Sequence, residues 1–257
     1  MTGVQTCALP ISALSASFIL VQRAALDLDI DPEEFDIVDP RIHVLGGNPV
    51  PVLQITDHLV NGSGFCERLA TVDANGRPIV VNLIQSIISD VSEFPLRDFR
   101  GTKGGVDHAP RCDQACYLCL QRYGNQSYHG LLDWRLGLSF LETLQSADFA
   151  CGLDGCFDSP SLSDWPNLAL RYATELVTRY RTNGETRSLG PLTAFRFNRS
   201  EDHWAIVVHP LWDIENPTGI LQNAIDQLGV FPEFTNTFEL SRRQVSERER
   251  LVREWNR

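Results

Sequence analysis

Lysine is nearly missing from this chain: of 22 basic residues only Lys103 is one. A phosphate-binding P-loop requires Gly-Lys-Ser/Thr, and Lys103 is followed by Gly104, so there is no Walker A site and no autonomous ATPase. Restriction-type nucleases usually place a lysine beside paired acids, and residues 104–257 hold none. Both absences favour a binding or scaffolding module. Positive charge is short as a whole, with 33 acidic residues and a net charge of −11. A broad electropositive face for duplex DNA is therefore not expected, and any nucleic-acid contact is local. Long apolar runs are missing too. The nearest approach, Ser12 to Leu28, carries Arg23 and Asp27 in a helical pattern, so no membrane span is expected. The cysteines cluster instead of spreading in pairs, which suggests a reducing compartment and a cytoplasmic protein. The N-x-S triplets at Asn61, Asn125 and Asn198 then read as chance.

What is present centres on Cys112 to Asp133, C-D-Q-A-C-Y-L-C-L-Q-R-Y-G-N-Q-S-Y-H-G-L-L-D. Cys112, Cys116 and Cys119 form a C-x3-C-x2-C knot, and spacings this short let several sulfurs converge on one ion. Thiolates select zinc, Cu(I) or iron–sulfur clusters over Ca2+ and Mg2+. A structural Zn2+ takes four ligands, so a fourth is sought among Cys66, His108 and His129. Cys66 is preferred because it begins a short helix after a glycine turn, where amide dipoles lower a thiol pKa. His129 is the alternative fourth ligand, at the entry to a helix. Three buried free thiols, or disulfides, are the plainer readings. The same spacing holds the [4Fe–4S] cluster of radical S-adenosylmethionine enzymes, but Leu118 stands where an aromatic usually precedes the last cysteine, and too little chain follows for repeated βα units.

At 257 residues and 43% apolar content the chain suits one large domain or two small ones. Residues Met1 to Ser12 resemble translated sequencing-adapter read-through and are set aside as an artefact, Cys7 with them, so the chain reads as a C-terminal fragment. A helix is expected over Ala13–Leu28, from Leu14, Phe18, Val21, Ala25 and Leu28. Strands Phe35–Val38, Ile42–Leu45 and Val50–Ile55, broken by Pro40, Gly46-Gly47 and Pro49, suggest a small sheet. The turn at Asn61, Gly62 and Gly64 positions Cys66, with aiming amides at a phosphate as the weaker reading. Apolar helices follow over Ile79–Ile88 and Leu131–Leu144. Cys151 and Cys156 form a C-x4-C pair read as structural thiols, with a second metal half-site as the alternative, in a linker over 151–163. Residues 164–257 read as a small α/β appendage: helix Leu168–Arg181, strands Leu192–Phe197 and Trp204–His209, helix Thr218–Leu228, strand Phe234–Leu240 and a charged, solvated tail. His209 with Asp213 and Glu215 is a packing feature before it is a catalytic cluster. The fold class expected is α+β, a small mixed sheet with packed helices and a cysteine-rich zinc knot over 13–150, then the α/β appendage.

The order D-x-x-x-N-G-S-G-F-C, helix, then C-D-Q-A-C-Y-L-C-L-Q-R-Y-G-N-x-x-x-H-G-L-L-D-W-R resembles the MrfA-like zinc-binding domain family, found at the C-terminus of superfamily 2 DNA helicases and of their ATPase-lacking partners. It is similar to the form in the DrmB-type subunit of DISARM phage-defence systems. The resemblance covers about Ala13 to Leu144. It implies zinc on Cys112, Cys116 and Cys119 with Cys66 as fourth ligand. Helicase forms carry a further cysteine two residues before the knot; Pro110 stands there, so His129 and His108 stay open. It also implies a partner, a helicase core in cis or a helicase subunit in trans, with DNA reached through that partner. The competing class is a metalloenzyme, either iron–sulfur radical or zinc hydrolytic.

Overall fold

The computed structural model describes residues 5–45, 48–103, 106–180 and 183–256. The protein is α+β and divides into two units, Leu9–Phe149 and one built on Ala150–Arg257.

In the first unit, helix α1 (Gln5–Leu28) starts ahead of Ala13, running through residues set aside as artefact; Ile11 and Ser12 are buried in it. Over Ala8–Leu28 this helix is long and apolar enough to cross a membrane, contrary to expectation, but 72% of its apolar window is buried. It reads as a core helix of small residues: Ala13, Ser15, Ala16 and Ser17 have no exposed surface. That lets a second helix approach closely. A Cβ on Gly137 of α5 (Trp134–Gln145) would lie 2.8 Å from Ile19 Cδ1 and 3.0 Å from Ser15, so only glycine fits the crossing.

Strands β1 (Phe35–Leu45) and β2 (Asn48–Asp57) form one long antiparallel ribbon instead of three short strands. Pro40 does not break β1; the register shifts between Val38 and Arg41, and the bulge absorbs it. Pro49 and Pro51 are tolerated because each strand of a two-stranded ribbon has a free edge. Short helices α2 (Phe65–Ala70), α3 (Ile79–Ser89) and α4 (Leu96–Arg100) follow, then the two-residue strands β3 (Thr102–Lys103) and β4 (Val106–Asp107). Leu83 and Ile87 of α3, Leu96 and Phe99 of α4 and Leu138 and Leu141 of α5 join α1 in one core. Each such burial stabilises by about 1.5–3 kcal/mol.

The second unit carries a four-stranded sheet in the order β5 (Glu185–Leu189), β6 (Leu192–Arg196), β7 (Ala205–Val208), β8 (Glu233–Asn236). β5, β6 and β7 are antiparallel, while β8 lies parallel to β7 after the crossover helix α7 (Gly219–Leu228). Helix α6 (Trp165–Arg179) buries Leu168, Ala169, Tyr172, Ala173 and Leu176 on one face. Strand β5 escapes the sequence reading because it is polar; an edge position and the Arg196–Glu185 ion pair at 2.7 Å hold it. The strand expected over Phe234–Leu240 stops at Asn236, whose side chain accepts from the Glu239 amide at 2.9 Å and starts α8 (Thr237–Arg242). The charged tail is helix α9 (Gln244–Trp255), and it is not simply solvated. Glu247 is buried, and Arg250 binds both it and the Phe234 carbonyl. Residues 151–163 belong to this unit, where Leu162 is fully buried and Phe157 stacks on Trp165 at 5.8 Å.

Candidate metal centre

Four donor atoms converge in the first unit: those of His108, Cys112, Cys116 and Cys119 lie within 4.8 Å of one another, and all but Cys116 are buried. The Cys112 and Cys119 sulfurs are 3.8 Å apart, as are those of Cys116 and Cys119. His108 Nε2 lies 3.3 Å from Cys116 Sγ. This group can hold a metal ion. It contains no carboxylate.

Local backbone chemistry produces the convergence. His108 begins a 3-10 turn over Ala109–Arg111 that returns the Cys112 amide to the His108 carbonyl at 3.0 Å, bringing residues 108 and 112 to one side. From Cys116 the chain makes a tight knuckle: the Cys119 amide donates to the Cys116 carbonyl, and the Cys116 amide donates to Cys119 Sγ, both at 3.0 Å. An amide directed at a sulfur stabilises a thiolate.

The imidazole is oriented from behind. His108 Nδ1 lies 3.1 Å from the Phe99 carbonyl, which can only accept, so Nδ1 carries the proton and Nε2 presents its lone pair to the sulfurs. Trp134 wedges beside it, with ring centroids 5.9 Å from His108 and 5.4 Å from Phe99. The indole donates to the Cys112 carbonyl at 3.1 Å. Arg135, 4% exposed, donates to the carbonyls of Cys112, Ala109 and Asp113 and stacks 4.1 Å over the Trp134 ring. Asp133 caps α5 by accepting from the Arg135 and Leu136 amides. The D-W-R tripeptide thus clamps the metal loop from the start of a rigid helix.

The four donors share protons unevenly. Hydrogen bonding from Cys112, aided by His108 and two backbone amides, holds Cys119 down at about 4 against the effect of burial. The hydrogen bond to Cys119, then burial, push Cys112 upward, and burial raises Cys116. Burial opposes protonation of His108, but its bonds to Cys119 and the Phe99 carbonyl outweigh it and raise the ring. Cys119 is thus the most acidic donor of the group, and a cation bound there would displace the protons of the other thiols.

Cys66, preferred as fourth ligand, stands outside this group among the described residues. Its Sγ lies 3.6 Å from the Ile55 carbonyl, and burial, then the Asp57 carboxylate, push its thiol up to about 12, opposite to the lowering expected at a helix start. Nor does the glycine turn present free amides to a phosphate. Asp57 takes the Gly64 amide at 2.7 Å and the Cys66 amide at 2.8 Å, and Gly64 adopts φ +79 to close that loop. His129 is also elsewhere: its Nε2 sits 2.9 Å from Asn125 Oδ1 and 3.0 Å from the Arg122 carbonyl. Asn125 is buried and bonds the Leu120 carbonyl and the Arg122 amide, folding the chain away from the knot. The spacing H-x3-C-x3-C-x2-C is the signal that favours His108. Arg135 and Asn125 have no comparable signal.

Among the described residues, neither secondary candidate joins a group of metal-ligating donors. Cys151 is buried, with its carbonyl accepting from the Trp212 indole, while Cys156 is exposed and 3.8 Å from Asp158 Oδ2. His209 is 2% exposed between Trp165 and Trp212, and burial pushes it down to about 3. Asp213 accepts from Glu215 and Asn216 within its own loop.

No family model matches the chain, and neither a curated protein nor a solved structure matches it.

Proposed function

We propose that the unit Leu9–Phe149 is a structural zinc module serving as an accessory or scaffolding domain of a DNA helicase or of an anti-phage complex of the DISARM type. The observation that carries the zinc reading is the convergence of His108, Cys112, Cys116 and Cys119 with the imidazole proton already directed at Phe99. Zinc–sulfur bonds of about 2.3 Å in a tetrahedron place sulfurs about 3.8 Å apart, and the two close sulfur pairs stand at 3.8 Å. Three cysteines and one histidine match a closed structural site, whereas catalytic zinc keeps an open position and favours histidine and carboxylate. Bound zinc would supply cohesion, tying the 108–119 loop to the carbonyl clamp of Trp134 and Arg135.

The helicase association rests on the motif resemblance, the lack of a Walker lysine and the net charge of −11, which suits a domain that reaches DNA through a partner. Metal analysis of the purified chain is the test. A colourless protein with about one zinc per chain supports the reading; a brown protein absorbing near 400 nm points to an iron–sulfur cluster and sinks it. Micromolar binding of the isolated chain to single strands at physiological salt would overturn the view that DNA is reached through the partner.

A further inference from the structure

The ribbon of β1 and β2 outruns the core it packs on. Phe35 is buried, and Ile37, Leu53 and Ile55 pack against the core of the first unit. Side chains two apart on a strand share a face, so this face continues along β2 to Pro51 and, across the ribbon, to its partner Ile42, with Val44 two residues further on. Ile42 is 41% exposed there and Val44 70%. Among the described residues no third strand joins the ribbon, and a two-stranded ribbon without cover is marginal in water.

The two outer edges differ. Ile42 stands opposite Pro51, and Val44 opposite Pro49. In a hydrogen-bonded pair both residues donate, and proline has no N–H, so the bonded pairs are Arg41 with Val52 and His43 with Val50. This alternation turns the N–H and C=O groups of Ile42 and Val44 away from β2, towards the free edge of β1. On the other side Pro49 and Pro51 leave the edge of β2 without donors at those positions. The β2 edge is thus blunted against a further strand, and the β1 edge is open.

The second face of the ribbon carries charge. Arg41 and His43 are exposed and two residues apart, on the face opposite Ile42 and Val44. The carboxylates earlier in β1 are engaged: Asp36 holds His58 at 3.1 Å, and Asp39 accepts from the Tyr128 hydroxyl at 2.8 Å.

We infer that the β1 edge is a docking site for an extended segment of another protein in which apolar residues alternate with acidic ones. Such a segment adds to the ribbon as a third strand. Its backbone pairs with Ile42 and Val44, its apolar residues cover their side chains, and its carboxylates meet Arg41 and His43. A second copy of this chain fits poorly. Pairing through the same edge would set Arg41 and His43 against their own copies and bring together two chains of net charge −11. None of these residues belongs to the metal group, so the site stands or falls apart from the zinc reading.

The test is titration of the full chain with a capped peptide that alternates glutamate and valine, and with its counterpart carrying lysine for glutamate, followed by amide resonances. The glutamate peptide should bind saturably and shift the amides of Ile42 and Val44. The lysine peptide should bind about threefold weaker, the scale of an exposed ion pair, and Arg41→Glu should reverse this order. Val44→Pro removes one outward donor and leaves the bonds to β2 in place, so it should weaken the glutamate peptide about tenfold. Because Arg41 is exposed, its variant keeps the fold even where the proline does not. Absence of saturable shifts at these amides, equal binding of the two peptides, an order unmoved by Arg41→Glu, or unaltered affinity in Val44→Pro each overturns the proposal. So does concentration-dependent dimerisation that Val44→Pro abolishes, since it would give the edge to a second copy.

Discussion

The two units fix their chains by different means. In Ala150–Arg257 a four-stranded sheet supplies regular hydrogen bonds, and its central strands β6 and β7 are almost wholly buried against α6. In Leu9–Phe149 the described residues between β2 and α5 form no comparable sheet: they run through short helices, 3-10 turns and a pair of two-residue strands. Side chains bonded to backbone do the work there, as in the Asp57 turn, the Asn125 fold and the Arg135 clamp, and the same segment carries the four donors that can hold a metal ion. A stretch too irregular to bury its own backbone needs cross-links of another kind, and a thiolate-bound ion is among the strongest.

The comparison breaks most sharply on metal removal. Chelation, or Cys116→Ser, should unfold residues 9–149, since apparent zinc affinity in small structural sites is on the order of 10 kcal/mol, while amide-exchange protection in β6 and β7 persists. Equal protection in both units after chelation would mean that the first unit does not depend on metal. Within this experiment His108→Ala should lose zinc quickly under mild chelation, and Cys66→Ser and His129→Ala should retain it; rapid loss from Cys66→Ser alone would return the fourth position to that thiol.

The converse perturbation is smaller. Trp165→Ala empties a site where the ring is 2% exposed and packs against Phe157 and Trp212, at a cost of about 3–5 kcal/mol. Zinc content should not change, and a loss of metal would show that this damage reaches the first unit as well.

Acid should also separate them. His209 is held near 3 in the folded unit by burial, against about 6.5 unfolded. The unfolded chain therefore binds the extra proton first, so stability is unaffected above pH 6.5 and falls as pH drops from there towards 3, by an amount on the order of a few kcal/mol. His209→Phe should flatten this part of the profile, measured by denaturant melts that follow Trp212. An unchanged slope would show that other groups dominate.

The smallest effect concerns the glycine turn. Asp57→Ala frees two amides and should cost about 1 kcal/mol, as loss of a helix cap does. A loss several times larger, together with lost zinc, would couple the Cys66 helix to the metal group.

Much of this was legible in the residues. Apolar patterns place α1, α3, α5, α6 and α7: α6 and α7 each bury one apolar face, while α1 and α5 are buried nearly all round. The C-x3-C-x2-C spacing marks the metal group because thiols this close in sequence have few other uses. Where sequence failed, a strand partner or a side-chain cap decided. Polar β5 becomes a strand only because β6 offers it an edge, Pro40 survives in β1 only because a bulge forms, and the run past Phe234 becomes helical once Asn236 caps it.

The fourth ligand divides the two sources of information most clearly. Sequence alone determined that three sulfurs would converge, since the cysteines lie within one short loop and the local backbone closes the knuckle. It left Cys66, His129 and His108 open, because a fourth donor is selected by position in space. Tertiary structure brings His108 to the three sulfurs: the Phe99 carbonyl holds one imidazole nitrogen, the Trp134 ring packs beside it, and Arg135 ties down the Ala109, Cys112 and Asp113 carbonyls of the same loop. Cys66 was turned instead to the Ile55 carbonyl, because the Asp57 carboxylate gathered its amide and fixed the start of its helix elsewhere.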